Sequence, residues 1–329
     1  MKILFIGGTG NISAACTRLA AAQGHEVFHL NRGKTKSDTP ANIKSINADI
    51  TNFDQVKAAL DGHNFDVVAN FIAFDADDVA RDIKLFNGRI GQYLFISSAS
   101  AYQKPVSHPV ITESTPLKNP YWQYSRDKIA AEEELMKAYR EEDFPATIVR
   151  PSLTYDTVIP VAIGGWTEYN IIDRFRKGKE VIVHGDGNSL WTITHSEDFA
   201  IGFNGLMGHQ QAIGHAFHIT SDEILTWNQI YDATAAAIGA EPNIVHIPSD
   251  FIARLDPFQE GNLLGDKAHS VIFDNTKIKA FVPQFKATIP YKVGIKKTIA
   301  WFEADPDRQI LNPDTEQMMD KIISAYQSI

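Results

Sequence analysis

The feature that most restricts how this chain folds stands at its start, where the largely apolar run from Lys2 to Ile6 passes straight into Gly7-Gly8-Thr9-Gly10-Asn11-Ile12. A run of that length and character is a buried strand. From Asn11 to Gln23 apolar residues recur at helical spacing, with Ile12, Ala15, Leu19 and Ala22 inward and Gly24 as the stop. Strand, glycine turn and helix in this order open a βα unit. Glycines at 7, 8 and 10 let the backbone turn tightly and approach a pyrophosphate, and the helix start offers it free amides. The chain is therefore expected to hold a dinucleotide through Gly7, Thr9, Gly10, Asn11 and Ile12. The third glycine of the usual spacing is Ser13 here, small enough for close helix–strand packing.

Beyond Gly24 the alternation of strand and helix repeats. Strand-like runs over 25–30, 43–48, 65–72, 92–97 and 146–149 are separated by helical stretches over 53–60, 78–86 and 121–140. That pattern predicts an α/β fold, a Rossmann-type doubly wound parallel sheet. After Pro151 the alternation loosens. A helix over 170–176, a strand over 180–184, a helix over 196–207, a strand over 216–220 and a helix over 226–238 precede short strands near 244–247 and 271–273 and three late helices. The predicted division is a dinucleotide-binding domain over 1–155 with a returning segment over 179–220. A smaller C-terminal α+β substrate lobe over 156–178 and 221–329 then caps the carboxyl edge of the sheet, where open α/β sheets bind ligands.

Composition narrows the function classes. With 44% hydrophobic and 22% charged residues, 329 residues build a substantial core. The apolar runs are strand-sized, short of the roughly 20 residues of a membrane span. With the first strand beginning at Lys2, no signal or transit peptide is expected ahead of it. The single cysteine, Cys16, is expected to pack within the first helix; with no internal disulfide it fits a cytoplasmic location. A net charge of -9 disfavours a broad nucleic-acid surface. Eleven histidines are scattered without metal-ligand spacing, so no metal is expected. The expected partner is a small-molecule substrate.

Two further motifs carry chemistry. Tyr124-Ser125-Arg126-Asp127-Lys128 places a tyrosine and a lysine four apart, on one face of a long helix. An ammonium beside the phenol is expected to lower its pKa, so that Tyr124 exchanges a proton with a carbinol or carbonyl near neutrality. One strand earlier stand Ser97 and Ser98, hydroxyls at a strand end.

Taken together, these pieces resemble the short-chain dehydrogenases/reductases of the extended or atypical branch, the NAD-dependent epimerase/dehydratase family. The matching residues are G-G-T-G-N-I at 7–12, A-D-I at 48–50, F-I-S-S-A-S-A-Y at 95–102, Y-S-R-D-K at 124–128, R-P-S at 150–152 and H-G-D-G at 184–187. The resemblance implies Ser98 as the hydroxyl polarising the substrate oxygen, with Ser100 able to share that role. It implies Tyr124 as acid/base and Lys128 as pKa tuner and ribose ligand. Asp49, followed by Ile50, would hold the adenine amine. Phe71, Ile72 and Ala73 would line the cofactor, and Pro151 to Leu153 would meet the nicotinamide amide. A homodimer through the helix bearing Tyr124 is a further implication.

Three departures sharpen the picture. Where NAD-preferring relatives place an acid after the second strand, this chain has Asn31-Arg32-Gly33-Lys34. Arg32 suits a 2′-phosphate, which favours NADP; stacking of Arg32 on adenine would admit NAD equally. Where nucleotide-sugar members clamp a diphosphate with arginine, the chain has Trp191, which disfavours such substrates unless Arg174 or Arg176 substitutes. Trp191, with Tyr155 and His195, is a candidate substrate contact, though core packing accounts for each as well. Ala99 and Ser100 replace the acid pair of the dehydratases, which disfavours dehydration. The expected function is oxidation of a secondary alcohol, reduction of its ketone, or epimerisation through that ketone. The alternative is a nucleotide-sensing or RNA-binding protein, because some atypical members, the chloroplast stem-loop-binding proteins among them, act on RNA.

Overall fold

Strand β1 (Lys2–Ile6) lies at the middle of the sheet because its side chains are apolar on both faces: Ile3, Leu4, Phe5 and Ile6 are all buried. In the computed structural model, which describes residues 1–33 and 39–329, β1 pairs in parallel with β2 (Glu26–Asn31) on one side and β4 (Phe65–Asn70) on the other. The sheet extends through β3 (Lys44–Asn47) beyond β2, and through β5 (Ile90–Ile96), β6 (Ala146–Pro151) and β7 (Ala216–Ile219) beyond β4. The spatial order β7-β6-β5-β4-β1-β2-β3 is that of a doubly wound parallel sheet, in which the order of adding strands switches sides between β1 and β4. The fold is the predicted Rossmann-like α/β architecture.

Each face has its own core. Helix α1 (Ser13–Ala22) packs with the helix Ser196–Leu206 over Phe5, Val67 and Leu94. On the opposite face α2 (Phe53–Ala59), α3 (Ala76–Phe86) and α4 (Gln123–Glu142) cover Leu4, Val68 and Phe95, with α3 and α4 packed together. Cys16 is fully buried, and burial pushes its thiol far above the nucleophilic range, so it packs as expected. No helix among the described residues is long and apolar enough to cross a membrane.

The C-terminal lobe has a third core, built around Trp191, Trp227, Tyr231 and Tyr291. One boundary differs from the sequence reading. Glu180–His184 does not return to the seven-stranded sheet but pairs in parallel with Asn243–Ile247 inside the lobe. Its run Val181-Ile182-Val183 is as apolar as a Rossmann strand, so periodicity alone could not choose between the sheets. The segment that does return is Ser196–Leu206 with β7.

Candidate active site

The turn after β1 is packed closely against its neighbours on one side and open on the other. Gly7 sits at φ 78°, and a Cβ there would lie 2.6 Å from Ile72 Cγ2; one on Gly8 would lie 2.4 Å from the His29 ring. His29 is buried and bonded to Thr17 Oγ1 at 2.9 Å, and burial lowers its pKa to about 4, which keeps it a neutral spacer. At Gly10 the nearest atom to a built Cβ, Ser13 Oγ, is 3.5 Å away, so this side of the turn is open. Helix α1 carries no side-chain cap. Ala14 N is taken by Gly10 O and Gly10 N by Ser13 Oγ, so the amides between them are the ones that could meet an anion. Ser13 instead braces the turn, accepting from Gly10 N and donating to Gly7 O. Asn11 ties the turn across the cleft, donating to Thr154 O at 2.8 Å and accepting from Thr157 N.

From this turn a cavity of about 940 Å³ runs along the carboxyl edge of the sheet and under the lobe. Gly7, Gly10, Asn11, Ile12, Phe71, Ile72, Pro151 and Leu153 line it, as do Ser98, Ser100, Tyr124, Lys128 and Trp191. Residues far apart in sequence thus share one space because β1, β4, β5 and β6 all end on the same edge. Thr9 and Ala73 lie beside this lining, Ala73 contributing its carbonyl to Lys128. Asn31 ends β2 and accepts from Gly33 N at 2.9 Å, next to the exposed Arg32. Asp49, with buried Ile50, follows β3, its carboxylate accepting from Thr51. Both lie at the carboxyl ends of strands on the β2–β3 side; Lys34 lies outside the described residues.

The serines and the tyrosine form a directed chain. Ser125 donates to Ser100 Oγ at 2.8 Å, Ser100 and Ser98 share a bond of 2.9 Å, and Ser98 bonds the Tyr124 phenol. Ser98 also caps the short helical turn Ala99–Ala101 by accepting from Ser100 N. Lys128 is buried, its Nζ donating to Ala73 O at 2.6 Å and Ile96 O at 2.8 Å and lying 5.8 Å from the Tyr124 ring centre. Burial pushes its pKa down to about 7 against the pull of Asp78, Glu132 and Asp75. The expected lowering of the phenol is absent. Burial raises Tyr124 to about 12, the bond from Ser98 opposes this, and Asp266 adds to it. The lysine's hydrogen bonds go to two carbonyls, and desolvation outweighs any help it gives.

Behind this site Ser97 donates to Glu132, which holds Arg150 in a buried bidentate pair; Arg150 lies 4.9 Å over the Tyr102 ring. That network fixes the end of β5 against α4 and β6.

A family model described as "NAD dependent epimerase/dehydratase family" matches residues 3–220. The chain belongs to that family. Among curated relatives, it is 24% identical to the 2'-dehydrokanamycin reductase of Streptomyces kanamyceticus over 87% of this chain and 80% of that one. It is 27% identical to the chloroplast stem-loop binding protein of 41 kDa b of Arabidopsis thaliana, over 76% of this chain and 67% of that one. In fold it resembles the epimerase Mth375 of Methanothermobacter thermautotrophicus, with a TM-score of 0.76 at 16% identity over 93% of each chain.

Within this NAD-dependent family fold, two expected substrate contacts are displaced. Tyr155 and His195 are buried against each other at 5.1 Å, with Tyr291 beyond and Gly294 pressed onto the phenol, and neither lines the cavity. Their strands pair with each other, which turns both side chains into the lobe core. Trp191 does line the cavity, packed on Trp227 at 5.5 Å with its indole N–H buried and unpartnered. Arg174 and Arg176 are bonded to Asp320 and Glu303, away from the cavity. Sequence reasoning missed Lys104, Trp122, Trp166 and Lys267, which line the cavity from loops and the lobe. They stand in no motif; only the fold brings them together.

Proposed function

We propose that this protein interconverts a secondary alcohol and its ketone on a small, sugar-like molecule, with NADP preferred over NAD. The observation that carries this reading is the hydroxyl chain Ser125–Ser100–Ser98–Tyr124 opening into the same cavity as the glycine turn. When bound, the nicotinamide supplies or accepts the hydride at its C4. Tyr124 moves the proton. Held at about 12, the phenol is protonated at neutral pH, the form that donates to a carbonyl oxygen as it becomes an alcohol. Ser98 donates to the same oxygen and stabilises its developing charge. Lys128 locks Ala73 and Ile96, and with them the walls between which a ribose and nicotinamide would lie.

The relative named as a 2'-dehydrokanamycin reductase supports the reductive direction. If the ketone turns over in the site before it is reduced, the same residues make an epimerase. Ala99 and Ser100, in the place of the dehydratases' acid pair, support redox chemistry without loss of water. Trp191 in the cavity, with Arg174 and Arg176 tied up elsewhere, supports a substrate without a nucleotide diphosphate. The likeness to a stem-loop binding protein favours a second reading, RNA binding, against which stand the net charge of -9 and the intact tyrosine–lysine pair.

Turnover decides. Purified protein should oxidise or reduce members of a panel of cyclic alcohols and ketones with NADP or NADPH. Tyr124→Phe should lower kcat at least about a hundredfold while cofactor affinity stays unchanged. Tight NADP binding with no turnover on the panel, or an active Tyr124→Phe variant, would refute the enzyme reading.

A further inference from the structure

Three charged side chains stand together in the cavity wall on the lobe side, apart from the serine–tyrosine–lysine set. Lys104 follows the turn that carries Ser98 and Ser100 and is 2% exposed; Lys267, from the lobe, is 1% exposed. Both line the cavity, as does Asp266. Lys267 Nζ donates to Asn262 Oδ1 at 2.7 Å and lies 3.4 Å from Asp266 Oδ2. Its ammonium also sits 5.7 Å from the Trp122 ring centre and 5.4 Å from that of Trp166. Trp122 in turn lies 5.1 Å from the Tyr124 ring. The cluster is therefore one side-chain layer from the reacting phenol.

Its charges do not balance. Lys104 and Lys267 repel each other, and Asp266 is the one acid that acts on both. Asp256, also in the wall, accepts from Phe258 N and Gln259 Nε2 and does not act on either lysine. Burying an ammonium without a full partner is costly, and burial accordingly lowers the pKa of both lysines. An anion in the cavity would give both ammoniums a charge-assisted partner beyond Asp266.

We propose that Lys104, Lys267 and Asp266 form a substrate subsite for an anionic oxygen group, a carboxylate or a phosphate, set beside an indole wall of Trp122 and Trp166. The proposal rests on the oxidoreductase reading for the word substrate, and it narrows the substrate to an acidic, ring-bearing carbonyl or alcohol. Asp256 and Asp314 also line the cavity, but Asp266 alone acts on Lys104 and Lys267, so at this subsite the ammonium of an aminosugar would meet two lysines and one acid. Trp122 and Trp166 offer flat apolar faces on which the C–H face of a sugar ring stacks.

Binding tests this separately from turnover. Tryptophan emission of the NADP-loaded protein is titrated with D-galacturonate, D-galactose 6-phosphate, D-galactose and D-galactosamine, which share a ring and differ in charge. At least one anionic sugar should bind about tenfold more tightly than galactose, and galactosamine should bind most weakly. The better of the two anions identifies carboxylate or phosphate. Lys104→Met should remove most of that preference, and the isosteric Asp266→Asn should enlarge it. Equal affinity across the four sugars, no saturable signal from either anion, or tightest binding of galactosamine overturns the subsite. So does an unchanged anion preference in both folded variants. Anion binding without any turnover would sink the oxidoreductase reading and leave the subsite standing.

Discussion

Single side chains decide the chemistry here through desolvation more than through charge pairing. Lys128 shows this best. Its pKa is about 7 in the folded chain and 10.5 in the open one. Between those values the unfolded chain keeps a proton that the folded chain has released, so stability rises with pH across that window. Below about pH 7 the fold carries the full cost of the buried ammonium. In cofactor-free protein, the denaturant midpoint of Lys128→Met should therefore climb less between about pH 7 and 10 than that of the parent. Parallel slopes would show that the lysine is not strained by burial. Arg32 makes the second prediction at this scale. It is exposed at the end of β2 beside Asn31, and we propose that its guanidinium grips a 2′-phosphate that NAD lacks. Arg32→Ala should weaken NADP about tenfold, or about 1.4 kcal/mol, and leave NAD almost unchanged. Equal losses for both cofactors, measured by titration, would remove the phosphate role.

At the scale of elements, the β1–α1 turn separates two demands that the sequence writes with one letter. Gly7 is needed by the fold, since its φ of 78° and the contact with Ile72 leave no place for a Cβ. For Gly10 we propose a demand from the ligand, since a Cβ there meets little protein but stands at the open cavity. Gly7→Ala should therefore destabilise the protein by about 1–3 kcal/mol in chemical denaturation. Gly10→Ala should keep stability within about 0.5 kcal/mol and weaken dinucleotide binding by an order of magnitude or so. The reverse pattern would exchange the roles of the two glycines. Helix α4 likewise serves two masters along its length. Tyr124, Ser125 and Lys128 face the cavity edge, while Glu132 one turn on anchors Arg150 and Ser97.

For the whole molecule, the cavity is a joint product of the sheet edge and the lobe. The glycine turn, β5 and β6 supply its floor, and Trp166, Trp191, Asn262 and Lys267 its roof. A dinucleotide that binds this assembled state and not the open chain stabilises it by mass action, about 2.7 kcal/mol at a hundredfold excess over Kd. In a chain of this size that shifts the melting temperature by roughly 4 °C. Differential scanning fluorimetry should show a shift of that order with NADP and a smaller one with NAD. A larger shift with NAD would reverse the proposed preference.

The sequence by itself determined the Rossmann half. Local rules suffice there, because strand, turn and helix are each short, and β1 to β6 succeed one another with the expected alternation. The same rules found Tyr124 and Lys128, whose spacing of four needs only a helix to align them, and Ser98, which needs only a strand end. Tertiary structure decided the rest. Glu180–His184 reads like another sheet strand, yet its partner, Asn243–Ile247, is more than fifty residues away. Tyr155 and His195 looked like site residues but were drawn into the lobe core by pairing with each other's strands. The phenol's rise to about 12 comes from burial, which no motif encodes. Lys104, in a loop, and Lys267, at the end of the helical segment Glu260–Lys267, stand 163 positions apart, and only the closing of lobe onto sheet makes them neighbours. Motifs record what one element does alone; charge balance and desolvation in a cavity belong to elements that meet.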